Sequence, residues 1–212
     1  MALQFLFYKM SFYWLNAQII LPMEKPYIEE KTYEKIDFAI TPFQNGEYEN
    51  CSFINCNFSN VDLSNNDFIN CNFDNCNLSN IKLLKVVLRD IIFKDCKMLG
   101  IQFDTCNSFG ISFVFHNCTL NHAIFYGTKI KSTEFINCQL HGIDFTDTDL
   151  ANAHFNNCDL LNSTFSNTNL ENADLSTSIN FSIDPEKNKV KKAKFSVNGL
   201  VGLVAKYNID IV

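Results

Sequence analysis

Nine cysteines and four histidines are the side chains best suited to chemistry in this chain of 212 residues. Four of the thiols crowd into residues 51–80, CSFINCNFSNVDLSNNDFINCNFDNCNLSN. Clustered thiols suggest zinc ligation, disulfides or a thiolate nucleophile. Their spacing serves none of these well. Structural zinc needs close pairs of the C-x-x-C kind, whereas the nearest cysteines here, Cys51/Cys56 and Cys71/Cys76, stand five apart. An odd count without a standard secretory signal argues for reduced thiols, and a cytoplasmic location is expected. His116, His122, His141 and His154 do not pair with a cysteine by spacing, and the seven scattered glycines form no phosphate-binding loop. No enzyme activity, metal, cofactor or small-molecule substrate is expected.

The elements that hold these thiols follow from a strict period. Apolar residues recur every fifth place at Phe38, Phe43, Tyr48, Phe53, Phe58, Leu63, Phe68, Phe73 and onward to Phe103, and again from Leu120 to Leu175. A helix repeats at about 3.6 and a strand at 2, so a period of five requires a short extended piece and a turn in every repeat. If that central residue, i, points inward, i−2 shares its face and should be small. All nine cysteines, at 51, 56, 71, 76, 96, 106, 118, 138 and 158, occupy i−2. Position i+2 is Asn at 50, 55, 60, 65, 70, 75 and 80, and again from 152 to 172; Asn tolerates the left-handed backbone of a corner. The cysteines therefore read as packing, and those twenty apart should stack: Cys56, Cys76 and Cys96 in one column, Cys118, Cys138 and Cys158 in another.

The pattern resembles the pentapeptide-repeat family, with Ala151-Asn152-Ala153-His154-Phe155 and ENADL ending at Leu175 as the quoted motifs. The resemblance implies an all-β, right-handed quadrilateral β-helix with four pentapeptides per turn, about seven coils, and a rod of roughly 35 Å. The expected organisation is an apolar leader over residues 1–22, an N-terminal cap over 23–37, the β-helix over 38–183, and a C-terminal capping and dimerisation module over 184–212. The leader lacks an uninterrupted apolar run of the roughly 18 residues that spans a bilayer, so no membrane segment is expected. It reads equally as translated upstream sequence or as a surface-binding segment.

Two local features stand out. The apolar spacing is seven between Phe113 and Leu120, so a register break is placed near 104–119 and two extra residues are assigned to His116 and Asn117. This is either a tolerated kink or a recognition bulge carrying Phe109, Phe115 or His116. At the end, Asp184-Pro185 is expected to break the repeat, NGLVGLVAKYN reads as a short amphipathic helix, and IDIV as a final strand. Resemblance to the tails of the family's Qnr-type members implies that the module joins two rods end to end in a homodimer through Phe195, Leu200, Leu203, Val204, Tyr207 and Ile209, with Phe195 and Ile209 buried; a purely monomeric cap is the alternative.

Charge gives the functional clue. The net charge of −6 argues against a direct nucleic-acid binder. Residues 36–184 hold 17 acidic and 7 basic side chains, net −10, while residues 185–212 hold two acidic and six basic, net +4. Glu134, Asp144, Asp147, Asp149, Asp159, Glu171 and Asp174 should face solvent and give the later coils a one-signed surface, serving either solubility or partner binding. The resemblance extends to the family's Qnr-type members, which protect gyrase and topoisomerase as DNA mimics. It implies a type II topoisomerase, gyrase, as partner, with those acids as the contact surface. Against this stand the absence of long projecting loops and the basic cluster from Lys82 to Lys97. A scaffold protein with another protein partner is the alternative.

Overall fold

The computed structural model describes residues 25–210; the leader at 1–22 lies outside them. The chain winds into a parallel solenoid in which strand residues pair with those twenty positions on, or twenty-two positions on across the register break. One wall is a four-stranded sheet of β1 (Tyr27–Glu29), β3 (Glu47–Glu49), β5 (Asp67–Ile69) and β7 (Val87–Arg89). The adjoining wall is a nine-stranded sheet. It begins with β2 (Thr32–Glu34), β4 (Ser52–Ile54), β6 (Asn72–Asp74), β8 (Ile91–Lys94) and β9 (Phe113–His116). It continues with β10 (Glu134–Ile136), β11 (His154–Asn156), β12 (Asp174–Leu175) and β13 (Lys194–Phe195). Single parallel bridges, such as Asn57 with Asn77 and Asp144 with Thr164, tie the other two walls. Nine rungs in one sheet span eight turns, one more than the sequence suggested, or roughly 38 Å at the usual strand spacing.

The corners explain why the sequence closes every five residues. Asn55, Asn75, Asn117, Asn137 and Asn157 all have φ between 51° and 56°, a left-handed conformation that Asn accepts more readily than most side chains. Successive corner side chains also bond up the rod: the Asn75 amide donates to Asn55 at 2.6 Å, Asn117 to Asp95 at 2.9 Å and Asn137 to Asn117 at 3.1 Å.

Inside, the ring of Tyr33 stacks on Phe53 at 5.0 Å, and the ladder continues through Phe73, Phe93, Phe115 and Phe135 to Phe155. Each such ring contributes about 1.5–3 kcal/mol by burial. Stacking adds about 0.5–1.5 kcal/mol per pair. The ladder leaves a small void of about 10 Å³ on the axis, between Leu63 and Phe103.

Both boundaries of the coil region differ from the sequence reading. Residues 27–37 are a rung rather than a separate cap: Ile28 and Tyr33 pack against the core, and Glu30 and Lys35 take corner φ values of 54° and 56°. Asp184-Pro185 does not end the repeat either. The chain turns there and continues, with the Leu170 amide donating to the Lys189 carbonyl and β12 pairing with β13. Beyond it, Asn198–Leu200 (3-10), α1 (Val201–Val204) and Ala205–Tyr207 (3-10) form the expected short helix. Ile209 and Asp210 carry no strand, and the rest of IDIV lies outside the described residues.

Candidate functional site

The thiols are interior structure. Cys56, Cys76, Cys96, Cys118, Cys138 and Cys158 are all buried in one uninterrupted column, because the two columns expected from the sequence join. Each sulfur sits against two carbonyls; that of Cys76, for example, lies 3.3 Å from the Phe53 oxygen and 3.4 Å from that of Asp74. Burial pushes the Cys71 and Cys106 thiols up to about 12. The neighbouring Cys118 thiol, with burial adding to it, does the same to Cys96. Such thiols stay protonated near neutrality and are poor nucleophiles. Among the described residues no group of three or more His, Cys, Asp or Glu could hold a metal.

Chemistry of recognition is therefore left to the outward side chains. Strand alternation turns the acids outward, but the coil distributes them over all four walls. Glu134 and Asp174 share the wall of the nine-stranded sheet, where Glu134 registers with His154 and His154 with Asp174. Asp159 bridges toward Ile179 on the next wall, Asp144 toward Thr164 on the third, and Asp149 toward Asn169 on the fourth. Asp147 takes a corner at φ 57°, and Glu171 flanks the fourth wall.

Several of these carboxylates are already engaged. Asp149 pairs with Lys131 at 3.2 Å, Asp174 with Lys194 at 3.1 Å and Asp159 with His141 at 2.8 Å. Hydrogen bonds from the Ser176 hydroxyl and amide, joined by Lys194, hold the Asp174 carboxyl down at about 2. Burial opposes the ionisation of Asp159, but Asn180 and His141 outweigh it and keep that carboxyl low. Glu134, Asp144, Asp147 and Glu171 have no cation within 4.0 Å among the described residues. The later coils are thus not one-signed: lysines bound the acids below, at Lys129 and Lys131, and above, in the last coil.

The register break is real but lies elsewhere. His116 is an ordinary strand residue registered with Lys94 and Ile136, and Asn117 is an ordinary corner at φ 53°. Phe115 is fully buried in the aromatic ladder. None of these three forms a bulge. The Asn107 amide still meets the carbonyl of Val86, at the regular offset of 21, whereas the Ser112 amide reaches Leu88. The extra residues are therefore within 108–111. There Phe109 is 76% exposed, Gly110 adopts φ 69° and the Arg89 guanidinium lies 5.5 Å from the centre of the Phe109 ring. Beside the loop lies an open groove of about 570 Å³ lined by Asp90, Ile92, Ser112, Val114 and Lys131.

At the far end, Phe195 is half-buried against Phe181 with ring centres 5.5 Å apart. Leu203 packs on the core, and Val204 is half-buried. Leu200, Tyr207 and Ile209 are 50%, 57% and 58% exposed, and Val201 beside them is similarly open. Ile209 is thus not buried within the chain itself. The helix sits tightly on the last coil, for a methyl at Gly202 would collide with the Phe181 carbonyl oxygen. Lys206 anchors it by pairing with Asp184 and Glu186. The sequence reading also missed four lysines on one wall of the last coil. Their charge is visible in the sequence, but there it reads as part of a tail, which the fold turns into a rung.

Comparison with known proteins gives one family. The family model described as a pentapeptide repeat region matches residues 41–114 and 111–179. A search of curated proteins finds no match. Among solved structures, a trypsin-treated form of QnrB1, described as a plasmid-mediated fluoroquinolone resistance protein, is 19% identical with a TM-score of 0.44. That comparison covers 89% of this chain and 99% of the other. HetL, described as a pentapeptide repeat protein involved in heterocyst differentiation regulation in the cyanobacterium Nostoc sp., is 12% identical with a TM-score of 0.39. It covers 87% of this chain and 92% of HetL. The five-residue period, the left-handed corners and a family model spanning most of the coils agree: the chain belongs to the pentapeptide repeat family.

Proposed function

We propose that this protein is a DNA-mimicking binding protein that engages a type II topoisomerase, gyrase or topoisomerase IV, and protects it from quinolone-type inhibitors. The observation that carries this reading is the set of outward carboxylates at Glu134, Asp144, Asp147 and Glu171 on a rod whose interior is closely packed. A rod of this kind offers little concavity for a substrate, but it presents fixed negative charge on several walls of its later coils. An enzyme surface built to hold duplex DNA is cationic, and acids fixed on a rigid rod compete for it without the entropy cost of ordering a flexible chain. Asp149, Asp159 and Asp174 belong to the same proposed surface, with the charge of Asp149 and Asp174 tempered by Lys131 and Lys194 and Asp159 lying 2.8 Å from the His141 ring. Phe109, on the only loop that departs from the coil among residues 38–183, supplies an apolar contact beside it.

The protein acts in this reading as a cytoplasmic homodimer joined through the C-terminal helix. Leu200, Tyr207 and Ile209 are the residues a partner copy would cover, since large apolar side chains left half-exposed at a rod's end favour association. Among the described residues no helix is long and apolar enough to cross a membrane.

A supercoiling assay with purified gyrase, with and without a quinolone, tests this. The expected result is protection or inhibition at micromolar protein. Replacement of Asp144, Asp147 and Asp149 by Asn is expected to abolish the effect while circular dichroism is unchanged. No effect of the parent protein, or full activity in the triple variant, would sink the reading and leave a scaffold role for another protein partner.

A further inference from the structure

The fourth wall of the rod changes character at its last coil. Lys187 stands at one corner of that coil, Lys189 and Lys191 flank the inward Val190 on the wall itself, and Lys192 takes the next corner at φ 59°. All four are exposed, and none has a carboxylate within 4.0 Å among the described residues. The acids that could neutralise them are occupied. Asp174 is paired with Lys194, and Asp184 and Glu186 share Lys206. Asp149, two coils below, is held by Lys131. Glu171, in the coil beneath Lys191, and Asp147, two coils beneath Lys187, are left on this part of the wall. Four cations against two anions, the nearer of them a coil away, make a basic surface on an otherwise acidic protein.

We propose that this lysine-bearing wall binds the phosphate backbone of duplex DNA. The surface is flat, so it suits an extended polyanion rather than a small anion that needs enclosure. Side chains at alternate positions of an extended segment stand about 6.6 Å apart on one face, which sets a row of charges against a row of phosphates. Lysine, a compact and mobile charge, gives backbone contact without base recognition. Net charge does not forbid this, because screening limits each lysine's field to about 8–10 Å and confines the balance to one wall. The site is independent of the topoisomerase reading.

The test is fluorescence anisotropy of a labelled duplex with the full chain, in the absence of any topoisomerase. Four phosphate contacts predict a log–log salt slope of about −3.6, so affinity should fall roughly 150-fold between about 50 mM and 200 mM salt. The K189Q/K191Q variant should halve the slope, leaving a fall of only about 12-fold, with an unchanged circular dichroism spectrum. Absence of binding at the lower salt, or an unchanged slope in the variant, would overturn the proposal. Tighter binding of a polyglutamate peptide than of DNA at equal salt would also overturn it, in favour of an acidic protein partner.

Discussion

Two adjoining walls of the same coil respond differently to the same two extra residues. The wall of the nine-stranded sheet runs unbroken from Thr32 to Phe195, and its aromatic ladder passes the insertion with Phe93 and Phe115 still stacked at 5.2 Å. The neighbouring four-stranded sheet stops at β7, and the chain that should supply its next strand loops out at 108–111. The difference lies in what each wall has to lose. On the first wall, slipping the register by one residue would send a ring to solvent and a polar group to the axis. On the second, the inward place falls on Ser108, which has little apolar surface to bury, so the loop costs least there. An insertion in a solenoid settles where the interior is weakest.

The largest expected contrast comes from the two phenylalanines that the sequence placed in one bulge. Phe115→Ala should cost about 3–5 kcal/mol, because it empties a filled axis. Phe109→Ala should change stability by less than about 0.5 kcal/mol, as expected for an exposed position. Denaturant titration of both variants checks this, and equal losses would erase the distinction between the walls.

A smaller effect is expected at the corners of the continuous wall. Asn137→Ala should lose about 1–2 kcal/mol from the left-handed backbone penalty. Asn137→Gly should recover much of it, since glycine adopts that conformation without a steric penalty. If Ala and Gly behave alike, the corners are set by something other than φ.

The next effect is pH-dependent. Asp174 has its folded pKa depressed to about 2 from 3.8, so its stabilising contribution is present above pH 4 and is lost as pH falls toward about 2. Asp174→Asn should therefore flatten the acid limb of a melting-temperature profile in that window, with little change above it in slope. Persistence of the full limb in the variant would place the acid sensitivity elsewhere.

The smallest effect should come from shortening the loop. Deleting Phe109 and Gly110 restores five-residue spacing and should leave overall stability nearly unchanged while increasing amide protection near Leu88. Loss of folding would show that the loop is required.

Much of this architecture is legible in the sequence because each pentapeptide repeats the same solution. The inward Phe and Leu, the small residue at i−2 and the Asn corner each specify the same geometry, and all nine cysteines were assigned to their position by that rule. The edges are harder to read. Glu30 and Lys35 make corners and Lys31 fills an i−2 place, so the first rung lacks the composition of the others although its backbone is the same. At the other end, Pro185 reads as a terminator, but it falls on an exposed turn where no ladder amide is missed. The insertion was assigned to the wrong residues because Phe113 and Phe115 are both inward, and spacing alone cannot choose between two apolar candidates two apart. The acids were found by counting, but counting cannot show that three of them are paired across coils. Those pairings join residues 18 to 20 apart and appear only once the coil is closed.

The central claim is that the protein's outward carboxylates, and not its thiols, carry its function. Competition binding tests it most directly: the protein is titrated against labelled duplex DNA held by gyrase, with the parent chain, an E134Q/D144N/D147N/E171Q variant and a C138A variant compared at one salt concentration. The account predicts displacement by the parent and by C138A, with at least a tenfold loss in the carboxylate variant. Equal displacement by the parent and the carboxylate variant, or loss of displacement in folded C138A alone, would contradict it.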